Sequence, residues 1–238
     1  MLQTRLIDYR DGETSLEGYF ACDDRQTGPR PAVLISHAWV GRDEFVCAKA
    51  RKLAELGYAA FALDMYGKGI LGRNAEENAR LMMPFIEDRA LLQRRITCAL
   101  ETLRLQPEVD AQRIAAMGFC FGGLCVLDLA RTGADLAGAV SFHGLFKPPG
   151  NTAGVKIRAK VLAMHGHDDP LAPPEDVLAL EKELTEAGAD WQIHVYGNTV
   201  HAFTNPQAND PAFGTVYNPL ADRRSWTALQ NFLSETLA

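Results

Sequence analysis

Along the 238 residues, short apolar runs alternate with longer stretches of helical spacing. Leu2 to Tyr9 and Leu16 to Ala21 flank Asp11-Gly12, a turn-forming pair, and predict an antiparallel N-terminal hairpin. After Gly28-Pro29 the pattern changes. Ala32-Val33-Leu34-Ile35-Ser36 is apolar at successive positions, which suits a strand buried on both faces. Glu44 to Leu56 has helical spacing and stops at Gly57, a residue suited to a helix C-cap. Tyr58 to Leu63 predicts the next buried strand. Helices are expected over Ala75 to Met83 and Glu87 to Leu105, with Pro84 as the break between them. Ile114 to Met117, Gly138 to Phe142, Val161 to Met164 and Gln192 to Tyr196 read as further strands. Leu124 to Ala130, Pro174 to Ala187 and Asp222 to Leu237 read as helices. Such alternation calls for an α/β fold, a mostly parallel sheet with helices on both faces. No repeat, low-complexity tract or linker divides the chain, so residues 1–238 are expected to form a single domain. Gly67 to Gly72 is glycine-rich and basic, and residues 67–88 are expected to form a lid or loop over a site at the sheet.

Composition narrows the class. Hydrophobic residues make up 47% and charged residues 23%, as in a globular protein. At this length one core buries enough apolar surface for folding without a disulfide or metal. With 24 Lys+Arg against 30 Asp+Glu, the formal charge of −6 argues against nucleic acid or an anionic membrane as partner. No apolar stretch approaches the roughly 18 residues of a membrane span. Met1 to Asp11 is charged and has no apolar segment of the secretory type. The five cysteines, Cys22, Cys47, Cys98, Cys120 and Cys125, are odd in number and form no CxxC pair. The expectation is a cytoplasmic protein with free thiols.

The sharpest motif is Gly118-Phe119-Cys120-Phe121-Gly122-Gly123, which follows a predicted strand and opens a helix. This is the G-x-nucleophile-x-G elbow of α/β-hydrolases, with Cys at the nucleophile position. Small residues are needed at both flanks because side chains there would strike neighbouring backbone. Cys120 would then stand at a helix N-terminus, whose dipole favours a thiolate. The Phe121 N–H would face a developing oxyanion.

In that fold the acid and then the histidine follow the nucleophile along the chain. His165-Gly166-His167-Asp168-Asp169-Pro170 follows the strand Val161 to Met164, at the sheet end where open α/β sheets place their sites. Asp169 is preferred to Asp168 as the acid, because G-x-x-D-P matches the usual acid turn. His201, in the loop after Gln192 to Tyr196, is the candidate base, oriented by Asp169. His165, His167, Asp168 and Asp169 also resemble a metal cluster, but neighbours in sequence rarely point at one ion, and no metal is expected. His37 and His143 sit at other predicted strand ends and are expected to line the pocket. Cys125, five residues along the elbow helix, is expected to be buried and inert.

Together these segments resemble the dienelactone hydrolase family of α/β-hydrolases. The likeness spans nearly the whole chain and rests on the elbow, on His165 to Pro170, on His201-Ala202-Phe203 and on Asp64-Met65-Tyr66. It implies an eight-stranded core reduced at its N-terminal end. It also implies hydrolysis of a small-molecule ester or lactone through a thioester, with no cofactor. The second oxyanion donor would be the Trp39 N–H. Members that open dienelactone carry a Glu in the loop after the first buried strand, where Ala38 stands here. They hold the substrate carboxylate with two arginines, whose places fall to Lys68 and Asn205. Lys lacks the bidentate fork and Asn lacks charge, so an uncharged or activated ester fits better than the anionic lactone. Trp39, Phe121, Phe146, Met83 and Phe203 are candidates for an apolar lining.

Three functions remain open on sequence alone. The first is a cysteine hydrolase, with promiscuous hydrolysis of organophosphate triesters as a side activity. The second is a binding or redox-sensing protein that kept the fold, motivated by the missing Glu and arginines. The third is a thioesterase or acyltransferase on the same triad.

Overall fold

The computed structural model describes residues 1–238, and its core follows from where the uninterrupted apolar runs point. In chain order the elements are β1 (Leu2–Asp11), β2 (Thr14–Asp23), β3 (Arg30–Ser36), α1 (Glu44–Glu55), β4 (Ala59–Ala62), α2 (Ala75–Glu87) and α3 (Arg89–Arg104). There follow β5 (Val109–Phe119), α4 (Phe121–Arg131), β6 (Gly138–Phe142), β7 (Lys160–Gly166) and α5 (Pro174–Glu186). The chain ends with β8 (Trp191–Tyr196), a small hairpin of β9 (Asn209–Asp210) and β10 (Thr215–Val216), and α6 (Pro219–Thr236).

Eight strands form one sheet in the order β1-β2-β4-β3-β5-β6-β7-β8. The expected reduction at the N-terminal end is corrected: the hairpin itself supplies the first two strands, and β2 pairs antiparallel with β4. From β4 to β8 every pairing is parallel. Successive side chains of the central strands enter opposite cores, which is why their middle stretches are apolar at consecutive positions. Leu34, Phe61 and Ala116 pack on the face covered by α3, α4 and α5. Val33, Ala60 and Met117 pack on the face covered by α1 and α6. On the first face a buried ion network ties three helices. Asp128 of α4 accepts from Arg89 of α3 at 2.6 and 2.7 Å and from Arg131 at 3.1 Å. Arg131 reaches on to Glu183 of α5.

Pro84 does not break the helix as expected, but lies inside α2. A proline removes one N–H, yet the chain leaves helical geometry only at Asp88, with φ −114° and ψ 89°. The Asp88 side chain accepts from the Leu91 N–H, capping α3 just where α2 ends. Residues 67–88 are a short loop followed by α2 and its C-cap Asp88. The elbow helix begins at Phe121, earlier than the apolar spacing predicts, and the 209–216 hairpin is an addition to the expected elements. All five cysteines are free, and no helix is long and apolar enough to cross a membrane.

Candidate active site

The elbow takes its shape from glycine. Cys120 has φ 55° and ψ −117°, a conformation costly for any residue with a Cβ, and its N–H is fixed on the Phe142 carbonyl at 3.0 Å. A Cβ on Gly118 would stand 2.1 Å from the Gly122 carbonyl oxygen. One on Gly122 would stand 2.3 Å from the Ser36 oxygen, and one on Gly123 2.7 Å from Gly144 Cα. The turn closes only because those atoms are missing. Cys120 sits at the N-cap of α4, and Phe121 is the first residue of the helix, so its N–H has no carbonyl one turn back within α4.

Asp169 and His201 meet as expected. His201 Nδ1 lies 2.7 Å from Asp169 Oδ2, and Asp169 Oδ1 accepts from the Leu171 N–H at 2.9 Å. Both side chains are buried. The carboxylate assigns the Nδ1 proton and leaves Nε2 free for chemistry. Nε2 is buried without a partner at hydrogen-bond geometry. Burial works against the imidazolium. The Cys120 charge and Asp169 outweigh it and push His201 up to about 10. The small hairpin positions the base: His201 N–H donates to Gly214 O at 3.0 Å, and Val216 N–H donates to His201 O at 3.1 Å. His167 and Asp168 point outward while His165 and Asp169 are buried, so the four side chains diverge. No three His, Cys, Asp or Glu groups are placed to hold one metal ion.

Cys120 and His201 face a cavity of about 420 Å³. Ala38, His143 and Asn205 line it as expected. His143 Nε2 lies 2.8 Å from Thr204 Oγ1, and its ring packs edge-on against His201 at 5.1 Å. Burial pushes His143 well below the usual imidazole range, so it stays neutral. Trp39 lines the cavity, its ring stacked on Phe213 with centroids 5.9 Å apart.

Three expected lining residues are displaced. Lys68 turns to the outer surface, where Asp8 and Glu17 neutralise it. Phe203 is fully buried behind the floor, edge-on to His143 and Tyr196. His37 is fully buried among Tyr66 and Phe121, with both ring nitrogens engaged by backbone. The rings of Phe121 and Phe146 are also core, and Met82 rather than Met83 faces the cavity. Sequence reasoning missed Phe45, Leu145, Leu171 and Phe213 as lining. Phe213 had one available signal: an aromatic between Pro211 and Gly214, in a turn where nothing calls for core packing. No Lys or Arg lines the cavity.

An elbow cysteine, a histidine and an aspartate in this order, at the carboxyl ends of parallel strands, define an α/β-hydrolase fold with a cysteine at the nucleophile position. The model of the dienelactone hydrolase family matches residues 16–237, and the chain belongs to that family. It is a dienelactone hydrolase-like hydrolase. It is similar to a dienelactone hydrolase-like promiscuous phosphotriesterase from metagenomic libraries, at 41% identity and a TM-score of 0.94. That likeness covers 100% of this chain and 99% of the other. A candidate carboxymethylenebutenolidase of Yersinia pestis is 30% identical, covering 79% of this chain and 74% of its own length. One from Aquifex aeolicus (strain VF5) is 25% identical over 98% of this chain and 99% of its own.

Proposed function

We propose that this chain hydrolyses uncharged or activated carboxylic esters and lactones through a thioester on Cys120, with neutral organophosphate triesters as a side activity. The observation that carries the reading is the cavity, where Cys120 and His201 face a mostly apolar lining that includes the acidic Asp43 and has no Lys or Arg to hold a substrate carboxylate. The Cys120 thiolate attacks the carbonyl carbon, and the Phe121 and Trp39 N–H groups receive the oxyanion. On collapse, His201 Nε2–H gives its proton to the leaving alkoxide, and Cys120 carries the acyl group.

The same histidine then acts as base. Once the sulfur is acylated, the negative charge that helps raise His201 is gone, and Nε2 loses its proton more readily. Nε2 takes a proton from water, whose oxygen attacks the thioester. Collapse expels the Cys120 thiolate and restores the thiolate–imidazolium pair. Asp169 holds Nδ1–H through both halves. A phosphotriester fits the same scheme, with phosphorus in place of the carbonyl carbon and an aryloxide leaving. The relative described as a promiscuous phosphotriesterase supports this extension.

The test is turnover of p-nitrophenyl acetate by wild type and Cys120→Ala, with mass spectrometry of the quenched enzyme. Loss of turnover in the variant, with an acyl group on Cys120 in wild type, is expected. Equal rates would remove Cys120 as nucleophile and favour a binding or redox-sensing protein.

A further inference from the structure

His37 engages the peptide that carries the second oxyanion donor. Its Nδ1 lies 2.6 Å from the Ala38 carbonyl oxygen, and its Nε2 accepts from the Met65 N–H at 3.1 Å. A backbone N–H only donates, so Nε2 must be the bare nitrogen and Nδ1 the protonated one. The Ala38 carbonyl and the Trp39 N–H belong to one planar trans peptide, so they point in opposite directions. The Ala38 carbonyl also accepts from the Gly41 N–H at 3.2 Å, so the two donors together fix the plane of a peptide whose Trp39 N–H points away from His37, and Trp39 is a lining residue of the cavity. The next peptide is fixed too, because Tyr66 Oη donates to the Trp39 carbonyl at 3.0 Å.

We infer that His37 is a positioning residue for the oxyanion hole: it orients and polarises the 38–39 peptide so that the Trp39 N–H meets the developing negative charge. The chain of donors runs from Met65 N–H through the imidazole and the Ala38 carbonyl to the Trp39 N–H. Each link polarises the next. A histidine can serve here because burial holds it below its ordinary range, so it stays neutral and keeps one tautomer. His37 itself is not among the residues that line the cavity. The inference rests on the acyl-transfer reading above.

The experiment compares wild type with His37→Asn and His37→Gln, two polar variants of different reach. The Asn amide nitrogen falls where Nδ1 lies and can still hold the Ala38 carbonyl. The Gln amide falls where Nε2 lies and can satisfy Met65 but not Ala38. Two rates are measured: burst-phase acylation by p-nitrophenyl acetate, and alkylation of Cys120 by iodoacetamide. Alkylation needs the thiolate and makes no oxyanion, so a merely structural defect moves both rates. The expected result is acylation slowed about 10- to 100-fold in His37→Gln, less than outright loss of a donor. His37→Asn should stay near wild type, and alkylation should be unchanged in both. Acylation in His37→Gln equal to wild type, or acylation and alkylation falling together, overturns the role of His37 alone. Wild type that is alkylated but never acylated overturns the hydrolase reading itself, and the role of His37 with it.

Discussion

Gly122→Ala tests whether the elbow and the oxyanion loop are one rigid contact. The added Cβ would lie 2.3 Å from Ser36 O and 2.6 Å from His37 O, both backbone atoms, where ordinary contact begins near 3.4 Å. The loop after β3 must retreat by about 1 Å, since the elbow is fixed from below by the Cys120 N–H on Phe142. That loop carries the Trp39 N–H. A misplacement of about 1 Å costs roughly 100-fold in rate, or about 2.7 kcal/mol of barrier. The overpacking itself costs about 1–3 kcal/mol of stability, at about 2–4 °C of Tm per kcal/mol. The assay is kcat/KM on p-nitrophenyl butyrate, with thermal unfolding and iodoacetamide alkylation of Cys120 alongside. Gly197→Ala is the control, because a Cβ there meets nothing within 4 Å. If Gly122→Ala keeps kcat/KM within about threefold of wild type, under ~1 kcal/mol, the loop yields freely and the rigid-contact argument fails.

Asp169→Asn removes a charge and a hydrogen-bond acceptor that help hold His201 at about 10. Acylation needs the imidazolium, so its alkaline limb should move to lower pH in the variant; an unmoved limb would mean Asp169 does not set it. The same raised value makes His201 a source of stability that is full below the unfolded value near 6.5 and lost as pH rises through about 10. Thermal scans should therefore show wild type losing stability over that window and Asp169→Asn losing less. Asp128→Asn leaves Arg89 and Arg131 without their shared buried anion and should cost about 3 kcal/mol, read as a lower urea midpoint at unchanged slope. An unchanged midpoint would refute the network. Lys68→Ala breaks a solvent-screened surface pairing with Asp8 and Glu17 and should leave both the thermal midpoint and ester turnover at the wild-type values. A raised KM would return Lys68 to the pocket.

The parallel sheet was legible because its central strands carry runs of consecutive apolar residues, such as Ala32 to Ile35 and Ile114 to Met117, a pattern that burial on both faces explains. The elbow was legible for a different reason: Gly118 and Gly122 are required by backbone atoms that a Cβ would strike. Asp169 and His201 followed from chain order and the turn around Gly166, and they meet at 2.7 Å. The pocket lining was harder to read. Lys68 was placed by counting from Tyr66, but position does not reveal that Asp8 and Glu17 stand outside to receive its amine. His37 precedes a lining residue, yet its ring turns back to the Met65 amide, a contact made across two strands. Phe213 lies in a hairpin too short to carry a periodic signal. Pro84 misled because a proline removes one hydrogen bond without forcing the chain out of the helix.

The hairpin that holds His201 at its backbone N–H and carbonyl also carries Phe213, stacked on Trp39 across the cavity. Changes of substrate range that work through this hairpin would therefore carry a catalytic penalty, because they disturb the proton-transfer geometry at the same time. Met82, which α2 contributes to the lining, has no such backbone tie to the base. Adaptation to new esters, in nature or by directed evolution, should thus accumulate first on α2, where the scaffold leaves specificity and chemistry uncoupled.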